Sequence, residues 1–454
     1  MPIQSENPAT GEVVKTFTAH SDDQVDAMIA KSYAAYKELR LWSFERRATH
    51  MRKAAQILRD EAETLGAIVT LEMGKTLKSA IAEVKKCAVG TDYYADTAEA
   101  HMADEIVETN ASKAYRAYHP IGPVLAVMPW NYPIWQVVRF AAPALMAGNT
   151  GLLKHASNVP QCALYIEDIF RRAGFPEGAF QTLLIGGSKV ERVLRDDRIK
   201  AATLTGSEPA GASVASICGQ EIKPTVLELG GSDPFIVMPS ADIDKAVSVG
   251  TIARNQNNGQ SCIAGKRFIV HADVYEAFKQ KFVASFQGLK IGDPTQSDTD
   301  IGPLVNKASL DEIVGQVAHA VKDGATLLVG GAALEGLGYF FEPAILEGIP
   351  KSSKAFHEEI FGPVAALYKV NSLDEAIDLA NDSPFGLGSS IWTQDEAEQA
   401  LAIRDIEAGA TFVNSMTSSD PRLPFGGIKR SGYGRELAAE GIRAFCNVKT
   451  VSIA

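Results

Sequence analysis

From Ser21 onward the apolar residues Val25, Met28, Ile29, Tyr33 and Tyr36 recur at three- and four-residue spacing, which predicts a helix with one buried face. Ser21 followed by Gln24 forms a capping box at its start. Helical patterning continues to about Ala103, and beyond it the texture changes. Short apolar or β-branched runs at Val124–Val127, Gly151–Lys154, Thr182–Ile185 and Ala201–Thr205 alternate with helical stretches at Ala163–Arg172 and Val190–Leu194. Such alternation predicts right-handed βαβ units and a parallel sheet. A second alternating series runs from Val226 to about Val413, with apolar runs at Phe235–Met238, Phe268–His271 and Ala365–Val370 and a helix over Tyr275–Leu289. Between the two, Asp104–His119 carries alternating residues (Ile106, Val107, Tyr115, Ala117, Tyr118) that suit a hairpin in need of a partner sheet.

At 454 residues the chain exceeds what one hydrophobic core usually serves, so the two series are expected to form two α/β lobes. Its composition, 46% hydrophobic and 22% charged, is that of a protein folded throughout. A net charge of −11 without any basic run argues against nucleic acid as a partner. The five cysteines are odd in number, scattered and without a CxxC pair, which fits neither a disulfide framework nor a zinc site, so no metal is expected. No apolar run is long enough to span a membrane, and the start Met1-Pro2-Ile3-Gln4-Ser5 has neither the basic nor the apolar part of a signal peptide. A cytoplasmic location is expected.

Three short segments carry candidate chemistry. In Asn257-Asn258-Gly259-Gln260-Ser261-Cys262 a lone cysteine follows a polar, glycine-containing turn that can expose a thiol. Taken alone, Cys262 reads equally as one more small buried residue. Glu228 sits inside the apolar run Val226–Leu229 ahead of two glycines. It is either the outward residue of an alternating strand or, if it faces a cleft, a general base whose pKa desolvation raises. In Met128-Pro129-Trp130-Asn131-Tyr132-Pro133 the Asn131 amide either shapes a turn or donates to an oxyanion.

Together these segments resemble the aldehyde dehydrogenase superfamily, which has the Asn, Glu and Cys motifs in this order and at similar separations. The likeness spans nearly the whole chain, from Asn7-Pro8-Ala9-Thr10-Gly11 through Glu358-Glu359-Ile360-Phe361-Gly362-Pro363 to Pro424-Phe425-Gly426-Gly427. It implies Cys262 as nucleophile, Asn131 as oxyanion donor and Glu228 as the base that activates water. It also implies an oligomerisation element from 104–119 with 431–454, a cofactor-binding domain from 1–103 and 120–228, a catalytic domain over 229–430, and a homodimer or dimer of dimers.

No GxGxxG is present. Gly206 and Ser207, after the run Ala201–Thr205, match the family's pyrophosphate-binding turn at a helix N-terminus. In the same frame Met128, Trp130 and Leu229 line the cofactor path, Glu359 matches the carboxylate on the nicotinamide ribose, and Phe361 packs near the nicotinamide. Many NAD-preferring relatives have Glu three residues after the lysine that here is Lys154. This chain has Ser157, so NADP is expected to be preferred, with NAD accepted if Ser157 is only a helix cap. Arg139, eight residues after Asn131, lies about two helical turns along if a helix starts near Pro133. It is either an ordinary surface or ion-paired arginine or, as in the bacterial succinate-semialdehyde dehydrogenase branch that the segment Trp135-Gln136-Val137-Val138-Arg139 resembles, the anchor of a substrate carboxylate. Trp135, Ser419, Phe425 and possible help from Arg422 would complete that pocket, although Gln256 stands where some relatives have a second arginine. The expected partner is an aldehyde with a distal carboxylate. Glutarate semialdehyde, aliphatic aldehydes and aminoaldehydes are the alternatives.

Overall fold

A computed structural model describes residues 2–454; Met1, where the sequence reading of the N-terminus begins, lies outside them. The first helix forms as its pattern requires over Asp22–Leu39, and Ser21 and Gln24 make both bonds of the capping box. Three further helices, Phe44–Asp60, Ala62–Met73 and Leu77–His101, carry the helical region to the expected end.

The first α/β lobe is built on a six-stranded sheet. Its spatial order is Gly432–Tyr433, Thr225–Glu228, Ala201–Thr205, Pro123–Met128, Thr150–His155 and Phe180–Thr182, all parallel except the two-residue first strand. The chain starts in the middle at Pro123–Met128, winds outward on one side, then returns to Ala201–Thr205 on the other. The order therefore reverses between these two central strands. Diverging connections leave a crevice at their carboxyl ends, where α/β sheets bind ligands. The expected strand Thr182–Ile185 lies earlier, at Phe180–Thr182. Pairing with the neighbouring strand covers only Gly151–Leu153, and the later apolar residues Leu183 and Ile185 enter the core as loop instead.

A seven-stranded sheet forms the second lobe, ordered Thr326–Val329, Ala344–Glu347, Val364–Val370, Gly265–His271, Asp233–Val237, Gly388–Trp392 and Ala410–Val413. Only its first strand is antiparallel. A smaller antiparallel sheet projects from the molecule, pairing Cys446–Ile453 with Lys113–Pro120 and the latter with Glu105–Ile106. Of the segment 431–454, only Cys446–Ile453 belongs to this projection, because Gly432–Tyr433 completes the first lobe's sheet. Ile106, Val448 and Ile453 are exposed on the projecting sheet.

The helix Trp135–Ala147 is buried on all sides and lacks a cap from its own N-cap residue, Ile134. Glu83 supplies the cap from another helix by accepting the amides of Ile134 and Trp135, both at 2.9 Å. Its charge is balanced by Lys75, and the two side chains are 3% and 0% exposed. Glu83→Ala would strand the Lys75 ammonium inside the protein and uncap the helix, so we expect a loss of about 3–5 kcal/mol of stability. A markedly lower denaturation midpoint, partly restored in Lys75→Met/Glu83→Gln, is the expected result in urea titrations.

Candidate active site

The helix Ile243–Asn255 ends in a single tight turn, Gln256–Gly259, in which Asn257 (φ 57°) and Asn258 (φ 56°) adopt the left-handed conformation. Asparagine tolerates that region better than other side chains, and here both amides are also used. Asn257 Nδ2 donates to the carbonyls of Asn131 (2.8 Å) and Gln260 (2.9 Å), and Asn258 Nδ2 to those of Gly74 and Pro303. Gly259 (φ 75°) lies so close to Gly362–Pro363 that a Cβ would fall 2.3 Å from a backbone nitrogen. The turn that delivers Cys262 is therefore fixed from several sides.

Two buried cations reinforce it. Lys266 donates to the carbonyls of Ser261 and Cys262, each at 2.8 Å, and pairs with Glu359 at 3.1 Å. Arg254, wholly buried, donates to the carbonyls of Gly259, Ile360 and Gly362. It thus joins the turn that bears Cys262 to the loop that bears Glu359 and Phe361. Neither cation was singled out from the sequence, because a Lys or Arg that serves backbone carbonyls carries no motif.

Asn131 is buried beside the same turn. Its Nδ2 donates to the Gln260 carbonyl at 3.1 Å, while Gln136 Nε2 donates to its Oδ1 at 3.0 Å. Gln136, also missed in the sequence, thereby orients the amide. Cys262 is half-buried, and desolvation pushes its thiol up to about 12, with Lys266 acting in the opposite direction.

Glu228 ends the strand Thr225–Glu228 with its side chain inward, 2% exposed, so it is not the outward residue of an alternating strand. Among the described residues neither carboxylate oxygen has a hydrogen-bond partner. Burial, and then the neighbouring Glu436, push its pKa well above the carboxylate range, while Arg139 and Arg435 pull it down. Gly426 makes room for it, since a Cβ there would lie 2.5 Å from Glu228 Oε1.

Two cavities share Cys262 and Gln136 as wall. One, about 270 Å³, is lined by Trp130, Asn131, Gly206, Ser207, Leu229, Glu359 and Phe361, and opens at the crevice between the central strands. Ser207 is the N-cap of Glu208–Gln220 but makes no capping bond, leaving its hydroxyl and the first helical amides available to a phosphate. A Cβ on Gly211 would collide with Leu229, and one on Gly230 would lie 2.5 Å from Glu359 Oε2. Trp130 meets Phe361 edge to face at 5.8 Å. This helix N-terminus, backed by a flat apolar wall and a carboxylate, fits a dinucleotide. Met128 is buried at the end of its strand and does not line the cavity. Lys154 and Ser157 are not part of its lining: Lys154 lies in the adjacent strand Thr150–His155 and Ser157 follows that strand. Ser157 is not a helix cap, because the next helix begins at Pro160 with Val159 as N-cap.

The second cavity, about 260 Å³, is lined by Trp135, Arg139, Ser419 and Phe425 together with Lys86 and Gln256. Arg139 is not free there. It is ion-paired with buried Glu436, donates to Thr205 Oγ1 at 3.3 Å and lies over the Phe425 ring. Arg422 is turned to solvent and paired with Asp420, so it does not help form the cavity.

With its pKa raised so far, the Cys262 thiol should be alkylated slowly by iodoacetamide in the cofactor-free protein at pH 7. Labelling should rise about tenfold per pH unit, because the thiolate is the reacting form. Fast labelling independent of pH, read by mass spectrometry of the Cys262 peptide, would show that the thiolate is already formed.

Residues 1–451 match the aldehyde dehydrogenase family. The chain is 60% identical over 455 residues to the succinate-semialdehyde dehydrogenase [NADP(+)] 1 of Mycobacterium ulcerans (strain Agy99), covering 99% of both chains. It is similar in structure to succinic semialdehyde dehydrogenase from Streptococcus pyogenes in complex with NADP+ (TM-score 0.97, 39% identity, 99% of each chain). Similarity also extends to succinate-semialdehyde dehydrogenase from Burkholderia pseudomallei (TM-score 0.96, 31% identity, 100% of this chain and 95% of that one). Matched from one end to the other in sequence and in fold, the chain belongs to the aldehyde dehydrogenase family.

Proposed function

We propose that this enzyme oxidises succinate semialdehyde to succinate with NADP as preferred cofactor and NAD as a second. The observation that carries this reading is the position of Cys262 in the wall shared by a dinucleotide-shaped cavity and one lined by basic and hydroxyl side chains. The relatives described above carry that substrate in their names and NADP in two of them. Ser157 and Lys154 support the cofactor preference, because neither presents the carboxylate that would repel a 2′-phosphate.

Cys262, once deprotonated, attacks the aldehyde carbon, and the new oxyanion is held by Asn131 Nδ2 and the backbone amide of Cys262. Gln136 keeps the Asn131 amide turned for this task. One such donor is typically worth 10²–10³-fold in kcat, roughly 3–4 kcal/mol. When bound, the dinucleotide supplies the hydride acceptor that converts the hemithioacetal on Cys262 into a thioester. Glu228 then takes a proton from water as it attacks the thioester, releasing the acid and the thiol. Burial, with Glu436 beside it, makes its conjugate acid weak, so the carboxylate, when formed, is a strong base. The Arg139–Glu436 pair, beside it, sets how readily it ionises.

We further propose that the parallel sheets are the cores of the cofactor and catalytic domains, and that the projecting sheet packs against a second copy in a homodimer or dimer of dimers. Its exposed Ile106, Val448 and Ile453 support that role. A cytoplasmic setting agrees with five cysteines free of disulfides.

The substrate assignment is tested by kcat/KM for succinate semialdehyde, glutarate semialdehyde, butanal and an aminoaldehyde with each cofactor. Succinate semialdehyde with NADP should lead, and an equal or better value for butanal would overturn the assignment. For the base, Glu228→Gln should accumulate thioester in rapid-quench experiments. In the wild-type enzyme hydrolysis should decline as pH falls, from a point well above the ordinary carboxylate range, because protonation removes the base and its pKa is raised. A variant that turns over normally without accumulated thioester would exclude Glu228.

A further inference from the structure

We propose that Lys86, with Ser419 as the hydroxyl it polarises, recognises the anionic end of the aldehyde in the substrate cavity. The inference rests on the substrate reading above and names the group that selects the anion.

The argument begins with charge. Arg139, the obvious cation, already has its positive charge matched by Glu436 inside the protein. Gln256 contributes an amide rather than a charge. Lys86 comes from the helix Leu77–His101 and reaches the cavity across the Trp135 ring, with Nζ 4.6 Å from its centroid. Its nearest acidic neighbours are engaged elsewhere, Glu83 with Lys75 and Asp420 with Arg422. Lys86 is therefore the lining cation whose charge is not spent on a carboxylate.

Hydrogen bonding points the same way. Ser419 Oγ accepts from Lys86 Nζ at 2.7 Å and from Trp135 Nε1 at 3.0 Å. With two donors directed at its oxygen, the hydroxyl proton must be donated elsewhere, and among the described residues it has no acceptor. An anion in the cavity would accept that proton and one from the ammonium, both from groups already held in place. Preorganised donors of this kind lose little freedom on binding. Burial lowers the Lys86 ammonium to about 8, so it remains charged at neutral pH. The same charge would repel an aminoaldehyde, which separates the semialdehyde reading from one of its alternatives.

The test is the ratio of kcat/KM for succinate semialdehyde to that for butanal, measured with NADP on the wild-type enzyme, Lys86→Met, Lys86→Arg and Ser419→Ala. Removing one partner of a desolvated charge pair costs at least about thirtyfold. We expect Lys86→Met to lower the ratio by that factor through KM for the semialdehyde, Lys86→Arg to recover much of it, and Ser419→Ala to lower it less. Calorimetric titration of Cys262→Ala and Cys262→Ala/Lys86→Met with succinate gives a readout free of turnover, and binding should weaken by a similar factor in the double variant. A wild-type preference for the semialdehyde that survives in Lys86→Met, with undiminished succinate binding, overturns the role of Lys86 and leaves the substrate reading intact. No wild-type preference over butanal overturns the substrate reading, and the inference with it.

Discussion

The candidate site depends on two cations buried chiefly against backbone carbonyls, one of which, Lys266, also meets the Glu359 carboxylate. Removing a guanidinium or ammonium from water is costly unless its donors find acceptors. Lys266 and one guanidinium nitrogen of Arg254, Nη2, meet that condition with five carbonyls, supplied by Gly259, Ser261, Cys262, Ile360 and Gly362, while Arg254 Nε and Nη1 have no partner among the described residues. These carbonyls lie on two loops distant in sequence, so satisfying the cations also sets the distance between Cys262 and the cavity wall formed by Glu359 and Phe361. Asn257 and Asn258 complete the arrangement from the opposite side, at backbone angles few other residues accept. Rigidity here therefore follows from solvation, and local helix or strand propensity contributes little.

Charges further out are arranged by the same rule. Glu83 is buried with Lys75 and Glu436 with Arg139, and each pair has a second task. The first caps the helix that carries Gln136 and Arg139. The second stands next to Glu228, where a lone carboxylate would face another without relief. Glu228 itself is left without a partner. A carboxylate fully satisfied by hydrogen bonds would have little affinity for a proton, so its isolation raises its proton affinity, with Glu436 adding to the shift and Arg139 opposing it.

Much of the fold could be read from periodicity. The capping box at Ser21, the helix Val190–Leu194 and the strand Ala201–Thr205 occur where the pattern places them, because local signals and burial agree there. The strand at Phe180–Thr182 was displaced because apolar residues after it are equally suited to loop or strand, and pairing partners decide between them. Cys262, Asn131 and Glu228 stand out in short motifs, and the fold brings Cys262 and Asn131 to one cavity and buries Glu228, whereas Gln136, Arg254, Lys266, Glu436 and Lys86 stand out in none. Their roles depend on which carbonyl, amide or hydroxyl the fold brings opposite, and no spacing along the chain records that. Arg139 shows the limit from the other side: its position was legible, but the carboxylate that occupies it lies near the opposite end of the chain.

That carboxylate, Glu436, stands just upstream of the short helix Ala438–Arg443 and the projecting strand Cys446–Ile453. One continuous stretch thus runs from the surroundings of Glu228 to the edge strand of the small antiparallel sheet. The segment that closes the small antiparallel sheet thus also carries the carboxylate that meets Arg139, so the edge of that sheet and the surroundings of Glu228 are anchored by the same stretch of backbone.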